Sequence, residues 1–150
     1  MKSEKKIKIN YISYIKNQHI PSTRNLKKWI LSGLVKKAVS QVNIIFVGNQ
    51  RIRTLNRTYL NKDKPTNVLT FSYENDNTLT GEIVLCPQII NHEAKKFGLS
   101  LNLRWAHMIV HSMLHIQGYD HKTKINQIDM EKTEVKLLSR MNYDNPYVSR

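Results

Sequence analysis

Cysteine is almost absent from this chain: Cys86 is the only one among 150 residues. No internal disulfide can form, which suits a reducing cytosol. Glycine and proline are sparse as well, at five and four residues, and nowhere do they gather into a linker. Internal repeats and low-complexity tracts are missing. Apolar runs of about 18 residues or more are missing too, so no segment is suited to crossing a membrane. The stretch Met1 to Asn10 carries lysines but no apolar run leading to a small-residue cleavage site, which argues against a secretory signal. A length of 150 residues is that of one domain with room for a proper core.

Acidic side chains are also in short supply. Lys and Arg outnumber Asp and Glu by 24 to 11, giving a net charge of +13 and a pI near 9.9. Such an excess suits a polyanionic partner, nucleic acid first and an anionic membrane surface second. Lysine far outnumbers arginine, and asparagine and isoleucine are plentiful, which an AT-rich genome produces without selection for binding. Basicity alone is therefore a weak pointer. No segment joins basic side chains to aromatics in an RNA-recognition pattern of the RRM kind. The densest basic stretch, Arg51, Arg53 and Arg57 with Lys62 and Lys64, reads first as a solvated face and second as an RNA contact.

Apolar spacing and capping signals lay out the elements. Lys6 to Ile15 alternates and reads as a strand. Ser22 or Thr23 caps a helix to about Ala38, with Trp29, Ile30, Leu34 and Val35 inward. Gln41 to Val47 is a second strand, and Asn49 to Leu60 a helix with Ile52, Leu55 and Tyr59 at apolar spacing. Asn67 to Tyr73 and Gly81 to Cys86 are strand candidates, with a turn-rich segment between them that suits a hairpin. Pro87 opens a helix ending at Gly98. Ser100 caps the next helix, which Gly118 closes. Thr123 caps a last helix to about Met141, with Ile125, Ile128, Val135 and Leu138 inward, and Asn142 to Arg150 is an irregular tail. Four strands and about five helices imply an α+β fold with a four-stranded mixed sheet packed by helices.

The richest segment is His111-Ser112-Met113-Leu114-His115-Ile116-Gln117-Gly118-Tyr119-Asp120-His121, a pattern H-x-x-x-H-x-x-G-x-x-H. Residues four apart share a helix face, so His111 and His115 can address one metal ion. Gly118 can take the left-handed conformation that ends a helix and brings His121 round as a third ligand. Three imidazoles suit zinc and leave its fourth position to water. The flanking helix from Trp105 to Ile116 is apolar almost all round, and buried imidazoles there need hydrogen bonds or a metal. His107, one turn before His111, reads as a satisfied structural histidine in preference to a support for the site. Cys86 reads as a buried apolar group, and Asp120 as a stabiliser of the turn or an orienting carboxylate.

This spacing is shared with metzincin proteases, which have a glutamate base at the position of Ser112. A serine hydroxyl cannot take the proton that glutamate takes, so peptide hydrolysis by that route is disfavoured. Cleavage of RNA needs no carboxylate there.

The chain resembles the YbeY family of bacterial endoribonucleases. The matching blocks are Leu55-Asn56 with Tyr59, Lys62 through Phe71, Gly81 through Cys86, Trp105 through Met108, His111 through His121, and Tyr143 through Tyr147. The resemblance implies a zincin-like metallohydrolase fold over residues 1–150 and one zinc ion per chain, held by His111, His115 and His121. It implies single-strand-specific, zinc-dependent endoribonuclease activity in late 16S ribosomal RNA 3′-end maturation and in ribosome quality control. A cytoplasmic location is implied, with partners in ribosomal RNA, the small subunit and a ribosome-assembly GTPase, and none in the membrane. Two positions depart from the family pattern. Leu60 stands where relatives commonly carry an arginine associated with RNA cleavage, and leucine cannot neutralise phosphate; Arg57 and Lys62 are the candidate substitutes as phosphate contacts. Glu82 replaces an aspartate. Leu60 keeps open an alternative, an RNA-binding ribosome-assembly factor with weak or no cleavage and a mainly structural zinc.

Overall fold

The computed structural model describes residues 7–36 and 39–148. Its elements, in chain order, are β1 (Lys8–Ser13), α1 (Thr23–Ser32), β2 (Gln41–Phe46), α2 (Asn49–Leu60), β3 (Val68–Asn75), β4 (Thr78–Leu85), α3 (Pro87–Lys96), α4 (Leu101–Ile116) and α5 (Lys124–Arg140). The sheet runs β1-β2-β4-β3, with β1, β2 and β4 parallel and β3 antiparallel at the edge. This is the α+β arrangement with a four-stranded mixed sheet that the patterning predicts.

Alternation along the strands divides the core in two. Val42, Ile44, Phe46, Ile83 and Leu85 pack with Trp29, Ile30, Ile90 and the buried face of α4. The intervening residues Ile45, Leu69, Phe71 and Val84 turn to the other face, where Ile52 and Leu55 of α2 meet them. The apolar α4 is thus sandwiched, and α5 packs on its outer side.

Three expectations need correction. The first helix ends at Ser32 and does not run to about Ala38; Lys6 and Ala38 lie outside the described residues. The chain leaves the helix at Gly33, which packs so closely on α4 that an added Cβ would stand 2.6 Å from Met113 Cβ. Beyond it, the amides of Val35 and Lys36 each donate to Oε1 of buried Gln117 at 2.9 Å, replacing helical partners. Val35 is consequently exposed and Leu34 only partly buried.

The second correction concerns the hairpin. β3 and β4 extend to Asn75 and from Thr78, further than their apolar residues suggest. A two-residue turn, Asp76 and Asn77 with φ of 48° and 68°, joins them. Paired positive φ values match the twist of a tight hairpin, and Asp and Asn tolerate them.

The third is α5. Ile125 is 80% exposed and Ile128 46%, Val135 is half-buried, and of the expected inner residues only Leu138 is buried. The inward stripe is Met130, Glu134, Leu137 and Leu138. A glutamate sits where the apolar pattern has no place for one.

Gly81 of β4 positions the end of α4. A Cβ there would lie 2.3 Å from Ile116 Cδ1 and 2.9 Å from its Cγ1, closer than atoms pack. Gly81→Ala is expected to destabilise the fold by about 1–3 kcal/mol through overpacking. A lowered urea midpoint with unchanged slope would show it; an unchanged midpoint would mean that Ile116 simply rotates away.

Candidate metal centre

α4 starts cleanly because the Ser100 hydroxyl accepts from the Leu103 amide. It carries His107, His111 and His115 up one stripe and ends at Ile116. Gly118 then takes φ of 102°, the reversal expected of it. The Tyr119 amide closes back onto the Leu114 carbonyl at 3.0 Å, and Asp120 Oδ1 accepts from the Lys122 amide and from Asn126 Nδ2, each at 3.0 Å. These bonds hold the bend between α4 and α5 and draw the Asp120 carboxyl below the usual range. Asp120 thus stabilises the turn.

The bend brings His121 to the other two histidines. Ring centroids are 6.3 Å apart for His111 and His115, 6.0 Å for His111 and His121, and 6.1 Å for His115 and His121. This is a nearly equilateral triangle. Imidazoles on one tetrahedral zinc, with Zn–N bonds of about 2.0–2.1 Å, have centroids about 5 Å apart. The rings are gathered but splayed, and among the described residues no three His, Cys, Asp or Glu groups form an assembled metal cluster. The structure thus gathers His111, His115 and His121 at one place, with the His111 ring held by Glu134 of α5.

The donor chemistry fits a zinc ion nonetheless. His111 Nδ1 lies 2.5 Å from Glu134 Oε2, so Nδ1 donates to the carboxylate and Nε2 keeps its lone pair. Partial burial, then the neighbouring His111, lowers the pKa of His115, which keeps that ring neutral and able to donate a lone pair. Ser112 is fully buried and gives its hydroxyl to the Met108 carbonyl at 2.8 Å. Its hydroxyl is committed to the backbone of its own helix.

Glu134 is the residue that sequence reasoning missed. Its fully buried carboxylate also accepts from His107 Nε2 at 2.9 Å and from the Tyr147 hydroxyl. Arg104 lies 3.5 Å from His107 Nδ1 and pairs at 2.8 Å with Glu93, which Asn67 also contacts. With Arg104 donating to Nδ1, His107 donates through Nε2. His107 therefore has the satisfied structural role expected of it, and its carboxylate partner also orients His111. Burial would raise the Glu134 pKa, but the hydrogen bonds from His107 and His111 outweigh it and bring it to about 2. Partial burial and the Glu134 carboxylate keep the Tyr147 hydroxyl protonated well above its ordinary range. The legible signal for Glu134 was a carboxylate at i+4 from Met130 on a stripe that continues to Leu138.

His111 and His121 open into a small pocket of about 170 Å³, walled by Gln127, Met130, Glu131, Glu134 and Tyr147. Cys86 and Asp63 do not line it. Cys86 is fully buried beneath α2, where it donates to Asn49 Oδ1, and burial pushes its thiol pKa up. Asp63 pairs with Arg53 at 2.9 Å and approaches Arg57 at 3.8 Å. Arg57 and Lys62 are exposed and do not line the histidine pocket either.

No helix among the described residues is long and apolar enough to cross a membrane. The family model described as endoribonuclease YbeY matches residues 9–142. The endoribonuclease YbeY of Nitrosomonas eutropha is 43% identical over 130 residues, covering 87% of this chain and 91% of that protein. That of Buchnera aphidicola subsp. Schizaphis graminum is 39% identical over 153 residues, covering 98% and 97%. Among solved structures, TM1509 from Thermotoga maritima shares the fold, with a TM-score of 0.54, 23% identity and coverage of 89% of this chain and 91% of that one. From the histidine motif through the α+β zincin-like fold to these matches, the observations agree that the chain belongs to the endoribonuclease YbeY family.

Proposed function

We propose that this chain is a zinc-dependent endoribonuclease that cuts single-stranded RNA. Its role would lie in late 3′-end maturation of 16S ribosomal RNA and in ribosome quality control. The observation that carries the reading is the triangle of His111, His115 and His121 with His111 pinned by buried Glu134. One zinc ion held by these three residues would supply an acidified water and a positive charge facing the scissile phosphodiester. Glu134 orients His111 by accepting from its Nδ1, which would leave Nε2 free to serve a metal. Tyr147 and Gln127 wall the pocket, and the back-bonded Ser112 leaves no protease-type base. The +13 net charge favours approach of RNA. Arg57 and Lys62, both exposed, are the phosphate contacts in this reading. The partners are ribosomal RNA, the small subunit and a ribosome-assembly GTPase, in the cytoplasm.

Leu60, 51% exposed at the end of α2, favours a second reading: an RNA-binding assembly factor that cuts weakly and uses zinc mainly as a structural ion. Cleavage of defined single-stranded ribosomal RNA by the native protein, Leu60→Arg and His111→Ala separates the two. For a nuclease, the native protein cuts, His111→Ala is silent, and Leu60→Arg cuts about tenfold faster through an added charge at the phosphate. Binding without cleavage by the native protein, unrelieved by the arginine, would establish the assembly factor. Equal cutting by all three would point to a contaminating nuclease and sink the proposal.

A further inference from the structure

One buried cation has no reason in the packing of the core. Arg104 is 8% exposed and stands three residues before His107 on α4. Its Nη2 pairs with Glu93 of α3 at 2.8 Å. Asn67, just ahead of β3, donates to both oxygens of the same carboxylate, at 3.1 and 3.3 Å. The Phe97 ring lies 5.3 Å from the guanidinium. Among the described residues, Arg104 Nε is buried with no hydrogen-bond partner. An ion pair taken out of water is often matched in stability by apolar side chains of similar size, and an unmet buried donor is a further cost. Stability alone gives no reason for a cation here.

The cation faces a ring nitrogen of His107: Arg104 Nη1 lies 3.5 Å from Nδ1. A guanidinium has donors only, so Nδ1 meets it as a lone pair and the ring proton sits on Nε2. That N–H faces Glu134 Oε1 at 2.9 Å and the Tyr147 oxygen at 3.0 Å, and the Tyr147 hydroxyl also donates to Oε1. Two donors therefore hold Oε1. A carboxylate is planar and rigid, so its other oxygen is held as well, 2.5 Å from His111 Nδ1. The opposite tautomer undoes this. With the proton on Nδ1, Nε2 would turn a lone pair toward the carboxylate, and the Tyr147 hydroxyl would donate to the ring instead. Oε1 would lose both donors, and Glu134 its hold on His111.

We infer that Arg104 is a positioning residue of the metal centre, setting the His107 tautomer that fixes Glu134 and, through it, the His111 ring. The inference rests on the reading of His111, His115 and His121 as zinc ligands. Glu93 and Asn67 hold the guanidinium in place for this task. Arginine suits it better than lysine, because a fixed fork of donors lets one arm engage Glu93 while another faces Nδ1. α3 thereby takes part in the site, although none of its residues lines the histidine pocket.

The test reads imidazole nitrogen-15 shifts of the full chain before and after zinc is added, at about pH 8.5, where histidines are ordinarily neutral. In the native zinc-free chain, His107 is expected as the Nε2–H tautomer and His111 as the Nδ1–H tautomer. Arg104→Met combined with Glu93→Gln removes both charges together, so that no buried carboxylate is left unpaired. In that variant His107 is expected to populate both tautomers, and His111 to lose its single form. Zinc affinity, measured by competition with a chelator, is expected to fall about tenfold, as for loss of a group that orients a metal-bound histidine. Arg104→Lys, which keeps a cation, is expected to recover part of both. A purely structural role would lower the melting temperature without moving the shifts. Native protein with His107 protonated on Nδ1 would overturn the inference without any variant. So would a folded double variant with native shifts, or one with altered shifts and native zinc affinity. A native chain that shows these tautomers but binds no zinc would defeat the zinc reading, and the shifts of the double variant would still decide whether Arg104 sets the two rings.

Discussion

Replacing His115 with alanine is expected to lower zinc affinity more than hundredfold and to abolish cleavage of RNA. Loss of an outer partner of a ligand costs roughly 10–100-fold in metal affinity, and removal of a ligand itself costs more. His115 is one corner of a triangle whose sides are 6.0 to 6.3 Å, and neither Asp120 nor Cys86 is placed to substitute for it. Asp120 is committed to the turn through Lys122 and Asn126, and Cys86 is buried beneath α2. The measurement is metal content after equilibration against a graded chelator. Native-like zinc retention by the variant would remove His115 from the site. Its fold should survive, because the buried stripe of α4 does not include this side chain.

Glu134→Ala is expected to act on both stability and metal. The carboxylate accepts from His107, His111 and Tyr147 within a buried site. Removing it leaves those donors without their acceptor, a loss on the order of 3 kcal/mol. It also frees the His111 ring, which lowers zinc affinity about 10–100-fold. Glu134→Gln should be milder in stability, since the amide keeps one acceptor oxygen. Its pH signature distinguishes the charge. The native carboxyl titrates at about 2 against an ordinary 4.5, so its stabilisation is complete above the ordinary value and is lost as pH falls toward 2. In metal-free protein, the stability difference between native and Glu134→Gln should therefore shrink as pH drops through that window. A difference that grows on acidification would contradict the assignment of Glu134 as an ionised acceptor.

How much of the site was visible beforehand varies with distance along the chain. The helix, glycine and third histidine lie within eleven residues, and local geometry relates them: four residues per stripe, one left-handed glycine, one tight return. His111, His115 and His121 could be picked for that reason. Glu134 and Tyr147 come from the next helix and the tail, and only packing of α5 against α4 brings them to His111. The same packing exposes Ile125 and Ile128, because the stripe that meets α4 is centred on Glu134 and not on the apolar residues at the start of α5. The first helix was drawn too long for a related reason: Gln117, over eighty residues away, takes the amides that would have continued it.

An aromatic-edged groove on the sheet shows the limit most plainly. No segment joins basic side chains to aromatics in an RNA-recognition pattern of the RRM kind, yet Tyr14, Arg51, Tyr59 and Tyr73 edge one groove because three segments, the end of β1, α2 and β3, meet there. Strand order decided that meeting, and it depends on long-range pairing that carries no local signal.

Composition, periodicity and the histidine spacing were enough to determine the element types, the mixed α+β class, the metal-site candidates and the absence of a protease base, since each depends on residues close along the chain. Tertiary structure alone decided the strand order, the carboxylate that orients His111, and the aromatic-edged groove on the sheet. Those features arise from contacts between distant segments, and the free energy of packing, summed over the whole molecule, is what selects them.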